Sequence, residues 1–111
     1  MLAVDFYRIH ADQVARLREW MGEITARRNE ALQTYAQEGV RHEMGYLLED
    51  RHGPILVWVM EVHDRDEATR AFLNSKLPID LQHKQMMREL FAEWIKPEVV
   101  YDCLVSKVWP R

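Results

Sequence analysis

The stretch Ile55-Leu56-Val57-Trp58-Val59-Met60-Glu61-Val62 constrains the fold more than any other part of the chain. It is rich in β-branched and aromatic residues and reads as a strand. Side chains alternate across a strand, so Leu56, Trp58, Met60 and Val62 share one face, and Ile55, Val57 and Val59 the other. A strand with one wet face alternates apolar with polar residues. Here both faces are apolar, and both need a cover.

The rest of the chain offers helices enough for one of those faces. Val4 to Ile9 reads as a first strand. Asp12 stands where an N-cap belongs, and Val14, Leu17, Met21, Ile24, Ala31 and Tyr35 recur at helical spacing. One long helix over 13–38 is expected, ended by Gly39 at positive φ. A second strand over 41–49 carries Met44, Tyr46 and Leu48 against Gly45 and Leu47. The turn Arg51-His52-Gly53-Pro54 joins it to the third strand as an antiparallel hairpin. Asp64 and Glu67 form a capping-box pattern that opens a short helix to Leu73, broken over 74–78. A further helix over 80–95 bears Met87, Leu90, Phe91 and Trp94 and stops before Pro97. A last strand is expected over 98–108, again apolar on both sides: Val99, Tyr101, Cys103 and Val105 against Val100 and Leu104.

This order makes an α+β chain of ferredoxin-like β-α-β-β-α-β plan. Its four-stranded antiparallel sheet has helices on one face, in a single domain over 1–111. The helix-free face would expose large side chains, each worth about 1.5–3 kcal/mol when fully buried. A second copy of the chain is the expected cover, giving a homodimer through the sheet face.

Composition narrows the function. With 111 residues the chain suits one domain. A net charge of −3 disfavours nucleic acid and anionic membranes as partners. The single cysteine, Cys103, excludes an internal disulfide and a CxxC pair, and a core position is expected for it. The longest apolar stretch, Ile55 to Met60, is far short of the ~20 residues that span a bilayer. No cationic segment followed by a long apolar run opens the sequence, so no leader is expected and a cytoplasmic setting is the default.

Val4-Asp5-Phe6-Tyr7-Arg8-Ile9, Leu17-Arg18-Glu19-Trp20-Met21, Val57-Trp58-Val59-Met60-Glu61 and Asn74-Ser75-Lys76-Leu77-Pro78-Ile79-Asp80 together resemble a small uncharacterised prokaryotic family of about this length. The plan resembles the dimeric α+β barrel superfamily of ferredoxin-like domains. That resemblance spans nearly the whole chain and implies a fold and a dimer, with no established activity. Gly39-Val40-Arg41-His42-Glu43-Met44-Gly45-Tyr46-Leu47-Leu48-Glu49 is similar to the helix-to-strand passage of sugar mutarotases of the same fold. Of the paired Trp residues in their last helical segment, this chain has Trp94 alone.

No phosphate loop, dinucleotide fingerprint, zinc-protease motif or nucleophile elbow is present, and no cofactor is expected. Candidate site residues are polar ones standing where apolar ones belong. Arg28 falls on the extrapolated stripe of the first helix and needs a carboxylate, with Glu61 on the third strand the first choice and Arg8 a rival for it. The pair is either structural or a ligand-facing acid and base, or the two residues are simply exposed at a strand end. His42 and Tyr46 share a face of the second strand and have the chemistry to hold a small polar ligand. His83 lies beside the apolar side of the last helix. His10 and His52 are expected at one end of the sheet, with no third ligand to complete a metal site. Trp20, Trp58, Trp94, Tyr7 and Tyr101 serve as core or as an aromatic wall around a flat ligand. Three functions fit: a small-ligand-binding homodimer, a cofactor-free isomerase- or monooxygenase-like enzyme on a sugar-like or aromatic substrate, and a structural interaction domain.

Overall fold

The structure, a computed structural model, describes residues 1–106. Strands β1 (Leu2–Ile9), β2 (Val40–Asp50), β3 (Gly53–Val62) and β4 (Phe91–Ile95) form one sheet in the order β2-β3-β1-β4, with all neighbours antiparallel. Between β1 and β2 run a 3₁₀ turn (Ala11–Gln13), α1 (Val14–Ala26) and α2 (Arg28–Glu38). Between β3 and β4 run α3 (Arg65–Asn74) and α4 (Pro78–Leu90). Two β-α-β units thus interleave in an α+β fold, placing β1 and β3 at the centre.

Register assigns the faces. Ala3, Asp5 and Tyr7 of β1 stand opposite Met60, Trp58 and Leu56 of β3, which stand opposite Glu43, Gly45 and Leu47 of β2. This is the helix-covered face. Ile9, Leu56, Leu17 and Leu90 pack into one core cluster, and Trp20, Ala31 and Ile79 into another between the helices. The opposite face carries Val57 and Val59 beside Tyr46 and Met44, with no helix over it.

Local chemistry explains most boundaries. Asp64 caps α3, its carboxylate accepting from the Glu67 N–H at 2.9 Å. Pro78 starts α4, where its missing N–H costs no helical bond. Gly39 ends α2 at φ 71°, a left-handed conformation that a residue with a Cβ adopts only with strain.

Elsewhere the structure differs from expectation. The long helix is two helices, because Arg27 leaves helical geometry at φ −96°, ψ 41°. Arg27 is held there by Glu23, Glu30 and Gln82. Asp12 lies in the 3₁₀ turn, where no side-chain capping bond forms at His10. The last helix closes at Leu90, and 91–95, expected as its final turns, pairs with β1 instead. Met87, Leu90, Phe91 and Trp94 satisfy a helical period, but pairing with a central strand overrides local preference. With the place beside β1 taken, 98–106 forms no strand and lies exposed. Cys103 is exposed with it rather than in the core. Residues 107 and 108 of the expected last strand lie outside the described residues. No helix among the described residues is long and apolar enough to cross a membrane.

Candidate functional site

Between helices and sheet lies a cavity of about 440 Å³. Its floor is made by Tyr7, Glu43, Trp58 and Trp94, one from each strand. Its walls come from Trp20 of α1, Tyr35 of α2, Phe72 of α3 and His83 of α4. Most of the lining is apolar or aromatic, with a few polar groups converging on it, the usual make-up of a small-molecule site. Gly45 helps to shape the floor. It stands opposite Trp58 in the sheet, and a Cβ there would meet the Trp58 ring at 3.3 Å.

The polar groups are chiefly carboxyls. Asp80 is buried in the first turn of α4, and the Thr34 hydroxyl lies 2.8 and 2.6 Å from its two oxygens. The Ser75 hydroxyl donates to it as well. Thr34 has one proton, which Asp80 takes, so its oxygen, 3.3 Å from Glu38 Oε1, can accept from Glu38 once that carboxyl is protonated. Burial pushes Glu38 up to about 8, with Glu43 and Asp80 adding like charge. Burial likewise pushes Glu43 up to about 7, against bonds from Tyr35 and Trp58 that favour its ionised form. The Tyr35 hydroxyl donates to Glu43 at 2.9 Å, and burial followed by that carboxylate raises the Tyr35 phenol. Tyr7 is pushed up to about 12, first by burial and then by Asp5. Asp5 is buried and paired with Arg65 at 2.5 Å.

His83 is the polar centre of the aromatic wall. The Trp20 indole N–H donates to its Nδ1 at 3.1 Å. The rings of Trp20, Trp58 and Phe72 lie 5.7, 5.7 and 5.4 Å from the imidazole, centroid to centroid. Burial lowers its pKa to about 4 despite the pull of Asp80, so the ring is neutral at pH 7.

Of the polar candidates read from sequence, His83 alone lines this cavity; of the aromatic ones, Tyr7, Trp20, Trp58 and Trp94 line it. Arg28 is exposed at the start of α2 and has no ion pair or hydrogen bond among the described residues. The expected Arg28–Glu61 pair is absent. Arg27, the residue at the break, reaches across to Gln82 of α4 instead, and Arg28 turns outward. Glu61 is bound instead by Arg41 at 2.6 Å on the helix-free face, and Arg8 pairs with Asp50. His42 and Tyr46 are exposed on that same face, opposite Glu61 and Val57. Tyr101 is exposed in the segment after β4. No group of three or more His, Cys, Asp or Glu among the described residues is placed to hold a metal ion.

Sequence reading passed over Glu38, Glu43, Thr34 and Asp80. Two signals were available. Thr34 and Glu38 continue the inward stripe of Ala31, four residues apart, and Glu43 shares a strand face with Gly45 and Leu47.

Neither the curated proteins nor the solved structures contain a match to this chain. A family model matches residues 3–105, and the chain therefore belongs to that family, a family of unknown function (DUF6176).

Proposed function

We propose that this chain is a homodimeric binding protein for a small, largely apolar organic molecule, seated between the helices and the sheet. The observation that carries this reading is the cavity of about 440 Å³, walled by aromatic rings from both the sheet and the helices and furnished with a few polar groups. A cavity of that size left without an occupant forfeits packing contacts that a filled core would make. Native mass spectrometry of protein purified without added ligand tests it. A bound organic species that is lost on Trp58→Ala is the expected result. Protein that carries nothing, and that no small aromatic compound stabilises against heat, would sink the reading.

A second reading is favoured by one observation. Glu43 and Glu38, at about 7 and 8, titrate where a general acid or base works best. A cofactor-free isomerase-like or monooxygenase-like enzyme on an aromatic or sugar-like substrate would use such carboxyls. Turnover that follows a group near pH 7 and disappears in Glu43→Gln would favour the enzyme over the binder. An interaction domain with no ligand of its own would show neither binding nor turnover.

A further inference from the structure

We infer that His83 Nε2–H is the anchoring hydrogen-bond donor of this cavity, and that it selects a flat apolar ligand bearing a neutral carbonyl-type oxygen. The inference rests on the cavity being a ligand site and names what that site recognises.

The tautomer follows from Trp20. An indole N–H donates and never accepts, so the bond from Trp20 requires a bare lone pair on His83 Nδ1. A neutral imidazole has one proton, which then resides on Nε2. Among the described residues Nε2–H has no hydrogen-bond partner, yet no sealed side-chain nitrogen or oxygen is left unsatisfied. Both statements hold because His83 lies deep in the fold but borders the cavity, where it keeps accessible surface. The cage of Trp20, Trp58 and Phe72 fixes the ring in place. A fixed donor, partnered at its far nitrogen and open at its near one, is set for an acceptor supplied by a ligand.

The neighbouring charges select among acceptors. Asp5, Glu38, Glu43 and Asp80 all line the cavity, and Arg65, the cation beside them, is engaged by Asp5. A carboxylate or phosphate ligand would find Arg65 already paired with Asp5, acidic groups for its other neighbours, and no positive charge on the neutral His83. A carbonyl, amide or ketone oxygen accepts the bond without bringing charge. The aromatic rings around His83 favour a flat body attached to that oxygen.

Acetophenone and α-methylstyrene test this, being alike in shape and differing in C=O against C=CH₂. Each is titrated into the whole protein and followed by ligand-observed NMR. A pocket without a donor prefers the hydrocarbon, which loses less hydration. With the donor, the ratio of affinities, acetophenone over α-methylstyrene, should be about fivefold higher in wild type than in His83→Phe, the size of one net hydrogen bond. Trp20→Phe, which frees the tautomer, should give an intermediate ratio. A second measurement guards against a misfolded variant. In wild-type protein the nitrogen resonances of His83 should show a proton on Nε2, and that signal should shift with acetophenone and stay put with α-methylstyrene. A proton found on Nδ1, or a ratio unchanged by His83→Phe, overturns the assignment while leaving the cavity a ligand site. If neither compound binds wild type, the cavity reading falls with it.

Discussion

Glu43 sits on a strand yet behaves as a core residue, and its protonation state links site to stability. Its folded pKa of about 7 lies above that of an unfolded glutamate, so the native state binds the extra proton. The stabilisation is complete below the unfolded value of about 4.3 and is lost as pH rises through about 7. Glu38 acts in the same direction up to about 8. His83 works the other way: with a folded pKa of about 4 it adds stability as pH rises from there to its unfolded value near 6.5. Above pH 6.5 only the carboxyls remain, so the melting temperature should fall between pH 6.5 and 8. Glu43→Gln should flatten that fall, removing Glu43's share of it, on the order of 1 kcal/mol across this window. Thermal melts across the range measure it, and parallel curves for the two proteins would contradict the burial of Glu43. Little of this was legible beforehand. A carboxylate on an edge strand reads as solvated, and only the pairing of β2 with β3 shows that Glu43 shares the helix-covered face with Trp58 and Met60.

Elements set the shape of the cavity, and their ends decide more than their middles. Strands β1, β2 and β3 and the capped start of α3 could be read from residue type and period, because alternation and capping are local signals. The break at Arg27 could not. It depends on Gln82, fifty-five positions away, reaching back to the guanidinium. Nor could the switch from helix to strand at Phe91, which depends on the open edge of β1 and on the stacking of Phe91 over Tyr7 at 4.4 Å. Gly45 is the place where an element end matters least and a side chain most. Gly45→Val puts methyl groups where the Trp58 ring lies, since even a Cβ would approach it to 3.3 Å and Leu56 to 3.5 Å. Trp58 must then tilt into the cavity. The variant should lose about 1–3 kcal/mol of stability, as overpacked cores do. Its affinity for any cavity ligand should drop more than its stability. Wild-type ligand affinity in Gly45→Val would mean that Trp58 does not form the cavity floor.

At the scale of the whole fold, two apolar surfaces stand unpartnered among the described residues, and both lie outside the cavity. One is the helix-free face of the sheet, where Met44, Tyr46 and Leu48 stand exposed beside Val59, Val57 and Ile55. The other is the segment after β4, where Val99, Val100, Tyr101, Leu104 and Val105 are each more than two-thirds exposed. Fully burying side chains of this size is worth roughly 1.5–3 kcal/mol apiece. A two-fold pairing would let the segment of one copy cover the sheet face of the other, and the reverse, without any further partner. Light scattering at micromolar concentration should therefore give twice the mass of one chain, and removal of the residues after Lys96 should return it to one. Cys103 offers a sharper reading, because it is exposed in the single chain. If the segment lies on the partner's sheet, its thiol should react with an aromatic disulfide reagent quickly in dilute protein and several-fold more slowly once the dimer forms. A doubled mass with Cys103 equally reactive at every concentration would mean that the copies meet face to face with the segment outside. A single-chain mass throughout would refute the pairing altogether, and the two apolar surfaces would then need a partner of another kind.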